Sequence, residues 1–215
     1  MQKKWLMQPA KMVTLDRFVL QEHYTLAQIS PYFWANSKMP EREDWKRLAA
    51  DGFNDYKLRI AGLVENPVEL SLADLRVLGE QETITMHDCI QGWSGIAQLR
   101  GVPMRRVIEL VKPKLGANTI AFYSFGPALL GASYYETQDL YNAMKPECLL
   151  ALEINGQPLP HLYGAPLRLR VENQLGYKMI KWIERIEFIA SEKLIGEGER
   201  CSNEDEEYFD LLPNI

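Results

Sequence analysis

Apolar and polar residues along this chain change period several times, and the changes predict its elements. The first ~50 residues keep no steady period, although Pro31-Tyr32-Phe33-Trp34 forms an aromatic cluster suited to capping a core or lining a pocket. Residues 43–50 (EDWKRLAA) read as a short helix ended by Asp51-Gly52. From Tyr56 the pattern turns to alternation: Tyr56-Lys57-Leu58-Arg59-Ile60 is a half-buried strand, Asn66-Pro67 a turn, and Ser71 the cap of a short helix. Residues 83–86 are strand-like and deliver the chain to His87-Asp88-Cys89. Gly101-Val102-Pro103 is expected to start a helix with proline near its first position, Val107, Ile108, Leu110 and Val111 inside, and Gly116 at its end. Residues 120–125 read as a buried strand and 136–144 as a helix. Residues 149–154 then enter a hairpin at Asn155-Gly156, a dipeptide suited to a type I′ turn. Residues 167–172 and 181–189 are further strands. The acidic run Glu204-Asp205-Glu206-Glu207 reads as solvated. The sum is an α+β fold, mixed, with a largely β core and short peripheral helices. Its expected parts are an N-terminal extension (1–55) packed on a core (56–190), followed by an acidic tail (191–215).

A chain of 215 residues is long enough to bury a sizeable core. A net charge of −5 argues against a nucleic-acid footprint, though not against a local cationic pocket. No stretch approaches the ~18 apolar residues of a membrane span. Lys3 and Lys4 are not followed by the apolar run of a secretory signal, so a cytoplasmic location is expected. The cysteines, Cys89, Cys148 and Cys201, form no CxxC pair and are expected as free thiols. His23, His87 and His161 are too scattered for a zinc site.

Two features carry candidate chemistry. Cys89 follows a strand and precedes the glycine-rich turn Gln91-Gly92-Trp93-Ser94-Gly95. A free cysteine is most often an inert buried hydrophobe. Held at a cleft, it is instead a nucleophile or a soft metal ligand. His87, two residues away, shares a strand face with it and can serve as its base. The second feature is cationic: Arg168 and Arg170 share a strand face, and Lys178 and Lys181 follow Gly176. Such a set is either a solvated face or a phosphate site, since guanidinium forks and ammonium groups suit phosphate oxygens.

Three segments, HDCIQGWSGIAQLRGVP (87–103), NGQPLPHLYGAPLRLRVENQLGYKMIKWIERIEF (155–188) and AGLVENPVELSLADL (61–75), resemble the molybdopterin-binding domain of the sulfite oxidase family. The closer likeness is to its small bacterial branch, which includes the periplasmic methionine-sulfoxide reductase catalytic subunit. The resemblance runs from about Tyr56 to Ile189 and implies that family's largely β core and one molybdenum-molybdopterin cofactor. It places Cys89 on the family's metal-binding cysteine, a soft thiolate for a thiophilic metal. It places Arg168 on the phosphate-binding arginine and Lys181 on its matching lysine, with Met179 and Ile180 contributing backbone. Ser124 falls where the family carries a small hydroxyl residue, and Phe33 and Trp34 fall on a cofactor-contacting pair. Tyr163 stands where relatives often carry Asn or His, with His161 as a possible stand-in. Tyr208 matches a tyrosine near the end of the reductase branch, and Tyr134 or Tyr135 an active-site tyrosine of the sulfite enzymes. Gln91 replaces an acidic residue common in relatives.

The resemblance implies an oxidoreductase that transfers oxo groups or reduces a small substrate, with Cys89, His87, Gln91 and Tyr208 as catalytic candidates. Sulfite is not the expected substrate: no cation flanks Cys89, and Asp88 there repels a dianion. The length leaves no room for a haem domain or for the immunoglobulin-like domain of eukaryotic sulfite oxidases, so a separate protein is expected to exchange electrons with the site. The rivals are a cofactor carrier without turnover, a metal-free enzyme using Cys89 and His87, and an inactive interaction domain.

Overall fold

The computed structural model describes residues 24–36, 38–127 and 133–205. Two five-stranded sheets make up the frame. The first orders its strands β2 (Val68–Leu70), β1 (Leu58–Gly62), β10 (Ile183–Ile189), β5 (Thr119–Pro127) and β6 (Ser133–Asp139). The second runs β3 (Gln81–Asp88), β4 (Ser94–Pro103), β7 (Leu149–Ile154) and β8 (Gln157–Pro158), with β9 (Arg168–Arg170) also paired to β7. The short helices are α1 (Glu43–Ala50), α2 (Leu72–Val77), α3 (Met104–Val111), α4 (Leu140–Ala143) and α5 (Ser202–Asp205). This is the mixed, largely β architecture expected. Among the described residues no helix is long and apolar enough to cross a membrane.

The period-two pattern places the core. Leu58 and Ile60 of β1, Ile186 and Phe188 of β10, and Ile120 and Phe122 of β5 point inward and join one cluster with Leu150, Leu169 and the apolar stripe of α3. Ser71 caps α2 as expected, with Asp74 returning the bond in a capping box. Asn155 and Gly156 take φ of 50° and 73°, both positive as a type I′ turn requires.

Four expectations are corrected. Gly101-Val102-Pro103 do not open a helix but end β4, and Pro103 is the residue before the first turn of α3. That helix ends at Val111, with Lys112 in the left-handed region (φ 52°), not at Gly116. The glycine at 101 serves the sheet: β4 shifts register against β7 there, and an added Cβ would stand 2.6 Å from Ala151 Cα. Gly101→Ala is therefore expected to destabilise the fold by ~1–3 kcal/mol through overpacking of backbone on backbone. A lower urea midpoint checks this, and an unchanged midpoint contradicts it.

Residues 136–144 are not one helix. They are most of β6 followed by α4, with Asp139 accepting from the Asn142 amide at 2.7 Å. Tertiary pairing overrides the local pattern here. The chain end supplies the partners that β6 lacks at the sheet edge: Thr137 N–H donates to the Arg200 carbonyl (3.1 Å) and Tyr135 N–H to Ser202 Oγ (2.9 Å). The acidic run is correspondingly not all solvated. Glu204 is buried, accepting from Tyr177 Oη at 3.1 Å and Arg200 Nε at 2.6 Å. Glu206, Glu207 and Tyr208 lie outside the described residues.

Candidate active site

A cavity of about 580 Å³ lies where the irregular segment after residue 32, the turn after β3 and the 3₁₀ turn Gly176–Lys178 converge. It is lined by Phe33, Trp34, His87, Cys89, Gln91, Ser124, Tyr163, Arg168, Met179, Ile180 and Lys181. All were singled out by the sequence. The remaining candidate, Tyr208, is outside the described residues.

Cys89 is held by local geometry. β3 and β4 pair up to Asp88 and Ser94. Cys89 N–H then donates to the Trp93 carbonyl and Gly92 N–H to the Cys89 carbonyl, both at 2.9 Å, with Gly92 at a φ of 91° that suits glycine. The thiol is half-buried. Asn36 Nδ2 donates to its Sγ at 3.5 Å and to Gln91 Oε1 at 3.1 Å. Burial pushes the Cys89 pKa up, against the weaker pull of the Gln91 amide and Asn36. Left to itself the group is a thiol, and becoming a thiolate requires a cation or metal.

His87 does not meet that need. Its ring is stacked on Trp93 (5.3 Å between centroids) and edge-on to Phe33 (5.3 Å), and no hydrogen bond joins it to Cys89 among the described residues. Burial, then the charges of Arg170, Arg168 and Lys181, hold its pKa well below the ordinary histidine range. The metal-free Cys89/His87 nucleophile thus lacks its base contact.

The four candidate cations separate into two pairs. Lys178 is buried in an ion pair with Glu136 and does not line the cavity, a correction to its grouping with the phosphate candidates. Arg170 braces β3 instead, donating to Thr85 Oγ1 (2.5 Å), the Met86 carbonyl (2.6 Å) and Met179 Sδ (2.7 Å). Arg168 and Lys181 line the cavity and flank Gly164, where an added Cβ would stand 3.2 Å and 3.0 Å from their respective Cβ atoms. Neither has a carboxylate partner among the described residues. Arg168 Nη1 reaches the Tyr163 carbonyl (3.1 Å), and its buried Nε has no acceptor. Lys181 Nζ donates to the carbonyls of Asn36 and Leu162. Burial, then their neighbouring charges, lower Arg168 to about 10 and Lys181 to about 7.

Ser124 holds this region from behind, with Oγ donating to the Lys181 carbonyl at 2.7 Å. The next residue, Trp182, sits at a strained φ of 57°. It is fixed by bonds from Phe125 N–H to its carbonyl (2.9 Å), from its own N–H to Gly164 (3.1 Å) and from its Nε1 to His161 (2.7 Å).

The Lys181 shift has a signed consequence. With its pKa lowered from 10.5 to about 7, the unfolded chain holds a proton between those values that the folded chain does not. Cofactor-free stability therefore rises with pH across that window, and the full penalty is present below pH 7. Lys181→Met is expected to raise the melting temperature of cofactor-free protein most near pH ~6 and least near pH ~9. A gain that grows with pH contradicts the assignment.

Other positions complete the account. Tyr134 lines the cavity and accepts from Asn203 Nδ2 at 2.9 Å, whereas Tyr135 turns its hydroxyl to Asp205 (2.6 Å). His161 packs between the rings of Trp45 and Phe53 (5.5 and 5.6 Å) and does not line the cavity, so it is no stand-in for Tyr163. Asp88 is buried, accepts from Ser94 Oγ and does not line the cavity. Sequence reasoning missed Asn36, Lys38, Trp93, Tyr177 and Asn203, all lining residues. The aromatic cluster directly before Asn36 was the available signal for the first two.

Residues 46–194 match the family model for the oxidoreductase molybdopterin binding domain. The chain is 34% identical over 131 residues to a putative protein-methionine-sulfoxide reductase subunit, YedZ1, of Azospira oryzae, covering 61% of this chain and 48% of that one. It is 30% identical over 183 residues to the protein-methionine-sulfoxide reductase catalytic subunit MsrP of Campylobacter jejuni, covering 77% and 60%, and 36% identical over 149 residues to MsrP of Gluconobacter oxydans, covering 64% and 48%. It thus spans about half the length of the curated relatives it matches. The crystal structure of the sulfane dehydrogenase SoxCD from Paracoccus pantotrophus shares its fold, with a TM-score of 0.57 at 17% identity over 84% of this chain and 54% of that one. With a matching family model over more than two thirds of its length, this chain belongs to the sulfite oxidase-type family of oxidoreductases that bind molybdopterin.

Proposed function

We propose that this chain binds the molybdenum cofactor through Cys89, Arg168 and Lys181 and reduces an S-oxide, with methionine sulfoxide as the substrate to test first. The observation that carries the reading is the donor set of the cavity: one half-buried thiol and two cations without carboxylate partners, one of them with an orphaned guanidinium nitrogen. That set fits the group. Cys89 is the soft ligand, and the metal charge supplies what its raised pKa lacks. A terminal phosphate would pair with the Arg168 guanidinium and favour the charged form of Lys181.

When bound, the cofactor supplies two-electron redox chemistry and a place to take up or release an oxygen. The chain supplies orientation and polarity. Asn36 ties the Gln91 carboxamide beside the Cys89 sulfur, so the groups bonded there are uncharged amides. Uncharged amides beside the sulfur suit an uncharged S-oxide. The Tyr134–Asn203 pair puts a polar edge on the cavity wall, near which a substrate oxygen can be held. Reduction of the S-oxide consumes two electrons and two protons and yields the sulfide and water. The electrons come from a separate donor protein. The names of the relatives support the substrate class.

Cofactor-loaded protein is expected to convert methionine sulfoxide to methionine with a reduced dye as electron donor, and to leave sulfite unoxidised when an oxidised dye is supplied as electron acceptor. Sulfite oxidation without S-oxide reduction overturns the substrate assignment.

A further inference from the structure

The sulfur of Cys89 is bonded by a side chain 53 positions away in the sequence: Asn36 Nδ2 donates to Sγ at 3.5 Å. That contact is made by the fold and not by the local turn. A carboxamide nitrogen carries two hydrogens. Gln91 Oε1 takes one at 3.1 Å, which turns the other onto the sulfur. The segment that carries Asn36 has no regular structure of its own, yet it is fastened along its length. Ser30 N–H donates to the Ile96 carbonyl and Ile96 N–H to Ser30 Oγ, both at 2.9 Å. Phe33 is buried, edge-on to the rings of His87 (5.3 Å) and Trp93 (5.8 Å). Tyr163 Oη donates to the Phe33 carbonyl at 2.7 Å, and Lys181 Nζ to the carbonyl of Asn36 itself. The backbone of residue 36 alone serves to hold Lys181. Its side chain is spent on the sulfur.

A thiolate that ligates a metal gives it electron density, and an N–H donated to the sulfur draws part of that density back. The oxidised metal loses more by this than the reduced metal, so the reduction potential rises. We infer that Asn36 sets the reduction potential of the bound molybdenum through its N–H bond to the Cys89 sulfur, an assignment that rests on the cofactor reading above. In this role Asn36 touches neither metal nor substrate. It is a positioning residue that acts through Cys89. The backbone N–H of Gln91 bonds the same sulfur, but it belongs to the turn and stays whatever side chain stands there. Asn36 is the donor that a substitution removes. A raised potential makes the metal easier to reduce, which is the step that a separate electron donor has to drive.

Two variants separate tuning from packing. Asn36→Leu keeps the size of the side chain and removes the donor. Asn36→Asp keeps the shape and puts a carboxylate, which only accepts, beside the sulfur. Both are loaded in a molybdate-replete, cofactor-producing host and titrated with redox dyes, with the metal read by electron paramagnetic resonance. Metal per chain and the melting temperature of cofactor-free protein are measured alongside. The reduction equilibrium is expected to fall about 3- to 10-fold in Asn36→Leu, where tenfold is ~59 mV for a one-electron step, and further in Asn36→Asp. Potentials equal to wild type in both variants overturn the inference and leave the cofactor reading standing. A wild type that carries no molybdenum overturns both. Metal lost together with thermal stability assigns Asn36 to packing and overturns the inference. Variants that melt like the wild type but hold no metal overturn it too, since the bond then decides binding and not potential.

Discussion

Cys89→Ser is expected to fold like the wild type, lose most of its molybdenum and retain no more than about one hundredth of its activity, since even outer partners of a metal ligand matter 10–100-fold. The turn from Cys89 to Trp93 is built from backbone bonds, and the side chain at 89 contributes little to it. Serine is nearly isosteric, and Asn36 can still donate to its oxygen. The change is in ligand chemistry: a hydroxyl is a harder donor and does not deprotonate as a thiol does beside a thiophilic metal. Pterin content should fall less than metal content, because on the proposed reading Arg168 and Lys181 would still hold the cofactor's phosphate. A serine variant with full molybdenum and full activity contradicts the role of Cys89.

The second large effect is at Arg168, and its sign differs between the two states of the protein. Without cofactor the guanidinium is a buried charge with no carboxylate partner among the described residues and an orphaned Nε, and burial has already lowered its pKa to about 10. Replacing such a group with an apolar side chain of similar length commonly stabilises. Arg168→Met is expected to raise the melting temperature of cofactor-free protein by ~2–4 °C, the equivalent of ~1 kcal/mol in a chain of this size. With cofactor the balance reverses, because truncating one partner of a buried charge pair costs ~2–5 kcal/mol. Cofactor should be retained on the order of 10²–10³-fold more weakly. A variant that loses stability and keeps its cofactor contradicts the phosphate assignment. A stability gain joined to a binding loss is the signature of a functional group kept at the expense of the fold.

The site was legible wherever residue type and chemistry were local. Cys89 stood at the end of an alternating strand, before a glycine turn, and that turn does present its sulfur to the cavity. Arg168 and Lys181 were legible from the family motif, yet their separation from Arg170 and Lys178 was not. Whether a cation faces a cavity or a buried carboxylate depends on Glu136, more than thirty residues away on an edge strand. That strand was itself misread, because residues 136–144 carry a helix-compatible pattern, yet 136–139 become strand through their pairing with β5 and the bond of Thr137 to Arg200. Gly101 misled for the opposite reason. Glycine two residues before proline, ahead of a periodic run, resembles a helix start, whereas its use here is a close approach of β4 to β7. Asn36 and Lys38 come from an irregular segment and Asn203 from the single-turn helix α5, too short for a period to be read.

The measurement that bears most directly on the central claim is the molybdenum and pterin content of the wild-type chain after expression in a molybdate-replete, cofactor-producing host. The account predicts about one molybdenum and one pterin per chain, with the sulfur count at the metal higher by one than in Cys89→Ser. A folded wild-type protein that carries neither under those conditions contradicts it, and returns Cys89 to the status of a buried thiol beside two unexplained cations.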